Sequence, residues 1–137
     1  MAYTAPAIGL FGAPGNPQSA YFPNVTKNLG GPNGWNTPIA LAAAGTQKAI
    51  LYFYRFSDGS PVTRTVVTFP NDAAGGGLVV DPRDIADLPD GQYAVVANGF
   101  GGQVGGTLVG VVLELDGEGD SAMAYEGFPS TELFNPR

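Results

Sequence analysis

Lys48-Ala49-Ile50-Leu51-Tyr52-Phe53-Tyr54-Arg55-Phe56, then Ser57-Asp58-Gly59-Ser60-Pro61, then Val62-Thr63-Arg64-Thr65-Val66-Val67-Thr68-Phe69: this unbroken stretch decides the fold. Both flanks alternate and are rich in β-branched and aromatic residues, which suit a pleated, half-buried surface. The segment between them holds Asp-Gly, which supplies the positive-φ position of a tight turn. The stretch therefore predicts a β-hairpin.

The same grammar recurs on either side of the hairpin. Upstream, Ala20 to Thr26 reads as a short strand, and Pro23, which cannot donate to a ladder, predicts a sheet edge there. Ile39 to Ala44 reads as a strand of small residues. Downstream, Leu78 to Val80, Gln92 to Ala97, Thr107 to Leu115 and Ser121 to Glu126 add four more. Thr107 to Leu115 is apolar on both faces and predicts a strand in the middle of a sheet. Asp81-Pro82 predicts an N-cap and first residue of one helical turn. About eight short strands with at most one turn of helix predict an all-β chain, an antiparallel β-sandwich of immunoglobulin-like or jelly-roll type, with a small closed barrel as the alternative.

A length of 137 residues suits one domain with its own core. The expected layout is an N-terminal strand and Gly/Pro-rich connector over 1–19, the sandwich over 20–128, and a tail over 129–137. The 21 Gly and 12 Pro crowd the segments between strands, and 44% hydrophobic residues argue against disorder. The net charge is -6, and the six basic residues are scattered, so nucleic acid and anionic membranes are poor partners. No apolar run has the length of a membrane-spanning helix.

Chemistry is bounded by what is missing. The chain has no His and no Cys, which removes the commonest base, the thiolate nucleophile and the usual zinc ligands. Its carboxylates stand mostly beside Gly or Pro in predicted turns, so a non-catalytic protein without cofactors is expected. Asp116, Glu118 and Asp120 alternate in a glycine-rich turn and are weak calcium candidates, since the bidentate glutamate of a calcium loop is missing. Asn24-Val25-Thr26 is a glycan acceptor pattern at Asn24. Trp35, with Tyr21 and Phe22, is a candidate stacking surface for a sugar, although a lone Trp more commonly packs in a core or rim.

The two ends of the chain echo each other. Met1-Ala2-Tyr3 repeats Met123-Ala124-Tyr125, and with a one-residue gap Pro6, Leu10 and Phe11 fall on Pro129, Leu133 and Phe134. A duplicated end suits a tandem array or a subunit that polymerises head to tail, where one copy's terminal strand completes its neighbour's sheet. The expected inter-subunit contacts are Met1, Tyr3, Leu10, Phe11, Met123, Tyr125, Phe128 and Phe134, and the expected partners are copies of the chain itself. Burying three such side chains yields about 1.5 to 3 kcal/mol each. Ordering a dozen residues costs on the order of 1 to 2 kcal/mol per residue, so one inserted strand sets register better than it holds copies together.

Tyr21-Phe22-Pro23-Asn24-Val25-Thr26, Gly34-Trp35-Asn36-Thr37-Pro38, Phe53-Tyr54-Arg55-Phe56-Ser57-Asp58-Gly59 and Ala124-Tyr125-Glu126-Gly127-Phe128 follow one another in an order that resembles tandem immunoglobulin-like β-sandwich repeats. Such modules occur in secreted and surface proteins of Chloroflexi-like and actinobacterial bacteria. The resemblance covers about residues 20 to 128 and implies an extracellular or cell-surface structural module with no catalytic residues. Where those repeats carry a Val-Gln-Asn run, this chain has Leu41-Ala42-Ala43-Ala44-Gly45.

Overall fold

A computed structural model describes residues 19–70, 76–101, 107–116 and 122–129. The strands, in chain order, are β1 (Ser19–Lys27), β2 (Trp35–Asn36), β3 (Ile39–Ala44), β4 (Lys48–Arg55), β5 (Pro61–Thr68), β6 (Gly76–Val80), β7 (Gly91–Phe100), β8 (Thr107–Asp116), β9 (Ala122–Glu126) and β10 (Phe128–Pro129). They form two antiparallel sheets, one in the order β10-β1-β7-β4-β5, the other with β8 between β3 and β9 and β6 outside β3. The fold is the all-β sandwich that the alternating segments predict.

The hairpin is β4 and β5, with Ala49 opposite Val67 and Phe53 opposite Thr63. Gly59 has φ +73°, and the Asp58 carboxylate accepts from the Ser60 amide at 2.9 Å and its hydroxyl at 2.7 Å. A short polar side chain thus closes the turn on its own backbone. Alternate residues of β4 enter the core between the sheets. Ala49, Leu51 and Phe53 join Phe22, Val25, Ile39, Leu41, Val95 and Val112 in one buried cluster. Phe53 and Tyr93 meet edge to face, ring centres 6.1 Å apart, the arrangement that the ring quadrupoles favour.

In the second sheet β2 and β3 oppose β8 in one register. Trp35 faces Asp116, Asn36 faces Leu115 and Ile39 faces Val112, while Leu113 donates to the Pro38 carbonyl at 3.1 Å. Central β8 is as expected, paired on both sides. Its two apolar faces do not share one fate, however. Leu108 and Val112 are buried, while Val109 is 63% exposed. A two-layer sandwich covers only one face of each sheet, and on the outer face Val109, Val111 and Leu113 stay in solvent.

Pro23 corrects the edge-strand expectation for β1. β1 pairs with β7 on one side and, at Ala20 and Tyr21, with β10 on the other. The β7 register shifts between Phe22 and Val25, so the proline sits in a bulge, where a missing donor disrupts no ladder. Beyond the bulge, β1 is tied to the neighbouring loops by buried polar groups. Thr26 and Thr37 exchange backbone and hydroxyl hydrogen bonds, hydroxyl to hydroxyl at 2.8 Å. Lys27 Nζ donates to the Ile85 and Leu88 carbonyls at 2.7 and 2.6 Å. That lysine anchors the segment after a 3-10 turn, Pro82–Asp84, whose N-cap Asp81 accepts from the Arg83 amide as the sequence predicts. The Arg83 guanidinium, hydrogen-bonded to Asp81, holds that carboxyl below its usual range.

Candidate inter-subunit interface

The repeated C-terminal motif lies in β9, which pairs along β8 with Ala124 opposite Leu113 and Tyr125 opposite Val112. Among the described residues, nothing pairs with the other side of β9. After Glu126 the chain crosses from the second sheet to the first. Gly127 makes the crossing, donating to the Gly110 carbonyl at 2.8 Å, and β10 then sets Phe128 opposite Tyr21. The terminal segment therefore ties one edge of both layers together.

This crossing is possible because two glycines make room for one ring. Phe22 is fully buried. A Cβ built on Gly127 would stand 2.3 Å from Phe22 Cε1, and one on Gly110 would stand 2.5 Å from its Cζ. Real carbon atoms do not approach so closely, so both positions require glycine for close approach.

Tyr125 supplies the polar half of the seat. Its hydroxyl donates to the Asn24 carbonyl and accepts from the Asn24 amide at 3.1 Å, satisfying both backbone groups where the β1 bulge takes them out of the ladder. The Asn24 side chain extends the network. Its Nδ2 donates to Glu114 Oε1 at 2.6 Å, and its Oδ1 accepts from Gln92 Nε2 at 2.7 Å. Burial pushes the Tyr125 phenol up to about 12, with the Glu114 carboxylate adding to the rise.

Glu114 is 8% exposed, and burial raises its pKa above the usual glutamate value. The folded state then holds this proton more tightly than the unfolded chain. The contribution of Glu114 to stability is fully present below the unfolded value and is lost as pH rises through the folded one. Glu114→Gln keeps an oxygen for Asn24 and removes the buried charge. The variant should melt above the parent near neutrality, and the difference should vanish at acid pH. Thermal melts of both proteins across pH check this, and a variant that melts lower at neutral pH would refute it.

The other sequence candidates disperse. Met1, Tyr3, Leu10, Phe11, Phe134, Glu118 and Asp120 lie outside the described residues. Tyr21 and Phe22, expected as a stacking surface, are 1% and 0% exposed. They belong to β1 of the first sheet, whereas half-buried Trp35 sits in the second; a ring buried on a central strand has no free face to stack on. The Trp35 backbone exchanges hydrogen bonds with Leu29 at 2.8 and 3.0 Å and closes the loop between them. Asn24, the glycan acceptor candidate, has its Nδ2 engaged with Glu114 in the folded protein. Among the described residues no three acidic, His or Cys side chains gather as a metal site, and Asp116 stands at the end of β8 opposite Trp35. A shallow groove lies elsewhere, lined by Arg55, Phe56, Asp90, Gln92 and Tyr93, and the Tyr93 hydroxyl donates to the Pro89 carbonyl.

The fold defines the protein's class as an all-β sandwich closed at one edge by its terminal segment. No protein-family model, curated protein or solved structure matches the chain. The seat contains residues to which the sequence assigned no part in it, namely Gly110, Gly127, Gln92 and Glu114. Gly110 did leave a signal, since an isolated glycine within a strand pattern marks a close approach.

Proposed function

We propose that the protein is a non-catalytic structural subunit that assembles head to tail, each copy's N-terminal strand entering the sheet of the next. The observation that carries this reading is the Met-Ala-Tyr repeat, whose C-terminal copy is the strand that seats Tyr125 on Asn24. The N-terminal copy carries the same three residues and is matched to the seat over those three positions, its next residues being Thr4 and Ala5 where the C-terminal copy has Glu126 and Gly127. In the assembly, Met1-Ala2-Tyr3 of one copy pairs with β8 of another in the β9 register, and the Tyr3 hydroxyl takes the Asn24 backbone groups.

Over these three positions the exchange replaces contacts by their equivalents, the low-cost route that a swapped element takes to assembly, while the crossing at Gly127 stays with the C-terminal copy. The contact is heterologous, so it does not close and grows a fibre. An exported, surface-associated homopolymer is the setting that suits both the fibre and the resemblance to tandem surface repeats. The sugar-binding alternative loses its support with Tyr21 and Phe22 buried.

Electron microscopy of the full-length protein tests the reading. Fibres with one copy per repeat are expected. Isolated monomers of 14.1 kDa at high concentration would overturn it.

A further inference from the structure

The outer face of the second sheet presents side chains that a soluble sandwich ordinarily makes polar. Val79 is 66% exposed, Val109 63%, and Val111 and Leu113 42% each. Ala40 and Ala42 lie exposed among them, Ala40 opposite both Val79 and Val111, Ala42 opposite Val109. These are neighbours on adjoining strands, so they form one patch and not scattered exposures. None is charged. Glu126 stands opposite Val111 on the edge strand, at the margin.

We infer that this face is a self-association surface, on which a second copy stacks sheet against sheet. Charge selects the occupant. The chain carries 12 acidic and 6 basic residues, so two copies repel each other in most orientations, and this face, uncharged over β3, β6 and β8 up to the margin at Glu126, is where they meet with the fewest carboxylates opposed. Shape agrees, because alanines on β3 beside valines on β8 let a second layer approach to about 10 Å.

Area sets the strength. The strands β3, β6, β8 and β9 hold 26 residues, and at about 3.4 Å of rise per residue and about 4.8 Å between strands they give a face on the order of 400 Å². Two copies then bury about 800 Å², the size of a weak, transient pairing. The pairing is isologous and closes at two copies, unlike the open head-to-tail contact, and it joins fibres side by side.

Sedimentation of the full chain over a concentration series, at low and high salt, tests this inference. A two-copy species is expected, strengthened by salt because screening weakens repulsion between like-charged copies. Val109→Lys should weaken the pairing at least tenfold. Val66→Lys, at a 54% exposed position on the other sheet, should leave it unchanged and controls for any cost of a lysine on a strand. Pairs with no larger species would support this face and overturn the head-to-tail reading. Fibres only one copy wide, unaltered in width by Val109→Lys, would overturn this face and leave the other standing. A Val109→Lys protein that pairs as tightly as the parent would also overturn it.

Discussion

Gly127→Val should release the terminal strands from the sandwich and lower the melting temperature by about 10 °C or more, the largest effect expected of any single change in the seat. The smallest side chain already fails, since a Cβ at this position meets Phe22 at 2.3, 2.7 and 2.9 Å on three ring atoms. Phe22 has no room to turn away, because it is fully buried and the same ring atoms, Cζ and Cε1, also meet Gly110, where a Cβ would stand 2.5 and 3.1 Å from them. Overpacking a core costs about 1 to 3 kcal/mol where the surroundings can adjust. Here the cheaper response is to lift β9 and β10 off, which also forfeits the Gly127–Gly110 hydrogen bond and the Tyr125–Asn24 pair. Protease should then cut within 122–129 while the remaining strands stay protected.

A double-mutant cycle separates this cause from a general loss of strand propensity. Phe22→Leu removes ring atoms and should recover part of the loss caused by Gly127→Ala, giving a coupling of about 1 to 2 kcal/mol between touching residues. Urea unfolding of the four proteins measures it. Strictly additive losses would show that the ring and the glycine are not packed as described.

What could be read from the sequence was local. The Asp58-Gly59 turn, the alternation of β4 and β5, and the Asp81-Pro82 cap depend on residues within a few positions of one another, and each stands where the pattern put it. Pro23 misled because the strands that flank β1, β7 and β10, stand about 70 to 100 positions away. The Asn24 network with Gln92, Glu114 and Tyr125 is equally distant in the chain and forms only once the sheets pack. Tyr21 and Phe22 looked exposed because turns flank them, yet exposure depends on layers and not on neighbours in the chain. The same limit explains β8, whose two apolar faces fit a fully covered strand or, as found, a strand with one face left open.

Tyr125→Phe should cost about 2 to 4 kcal/mol, because it strands two backbone groups of Asn24, an amide and a carbonyl, each worth about 1 to 3 kcal/mol when left without a partner. Ring packing is retained, so the loss reads the hydroxyl alone, and urea unfolding measures it. The assembly reading makes the tyrosine pair asymmetric. Weakening β9 by about 2 kcal/mol shifts competition for the seat about 30-fold toward a neighbour's Met1-Ala2-Tyr3, so Tyr125→Phe should polymerise at lower concentration despite its lower stability. Tyr3→Phe should do the opposite, leaving unfolding unchanged and raising the concentration needed for fibres. Light scattering on a dilution series of the two variants decides the matter. If both variants polymerise like the parent, the shared seat is not what links the copies, and the repeated motif would lose its role in assembly.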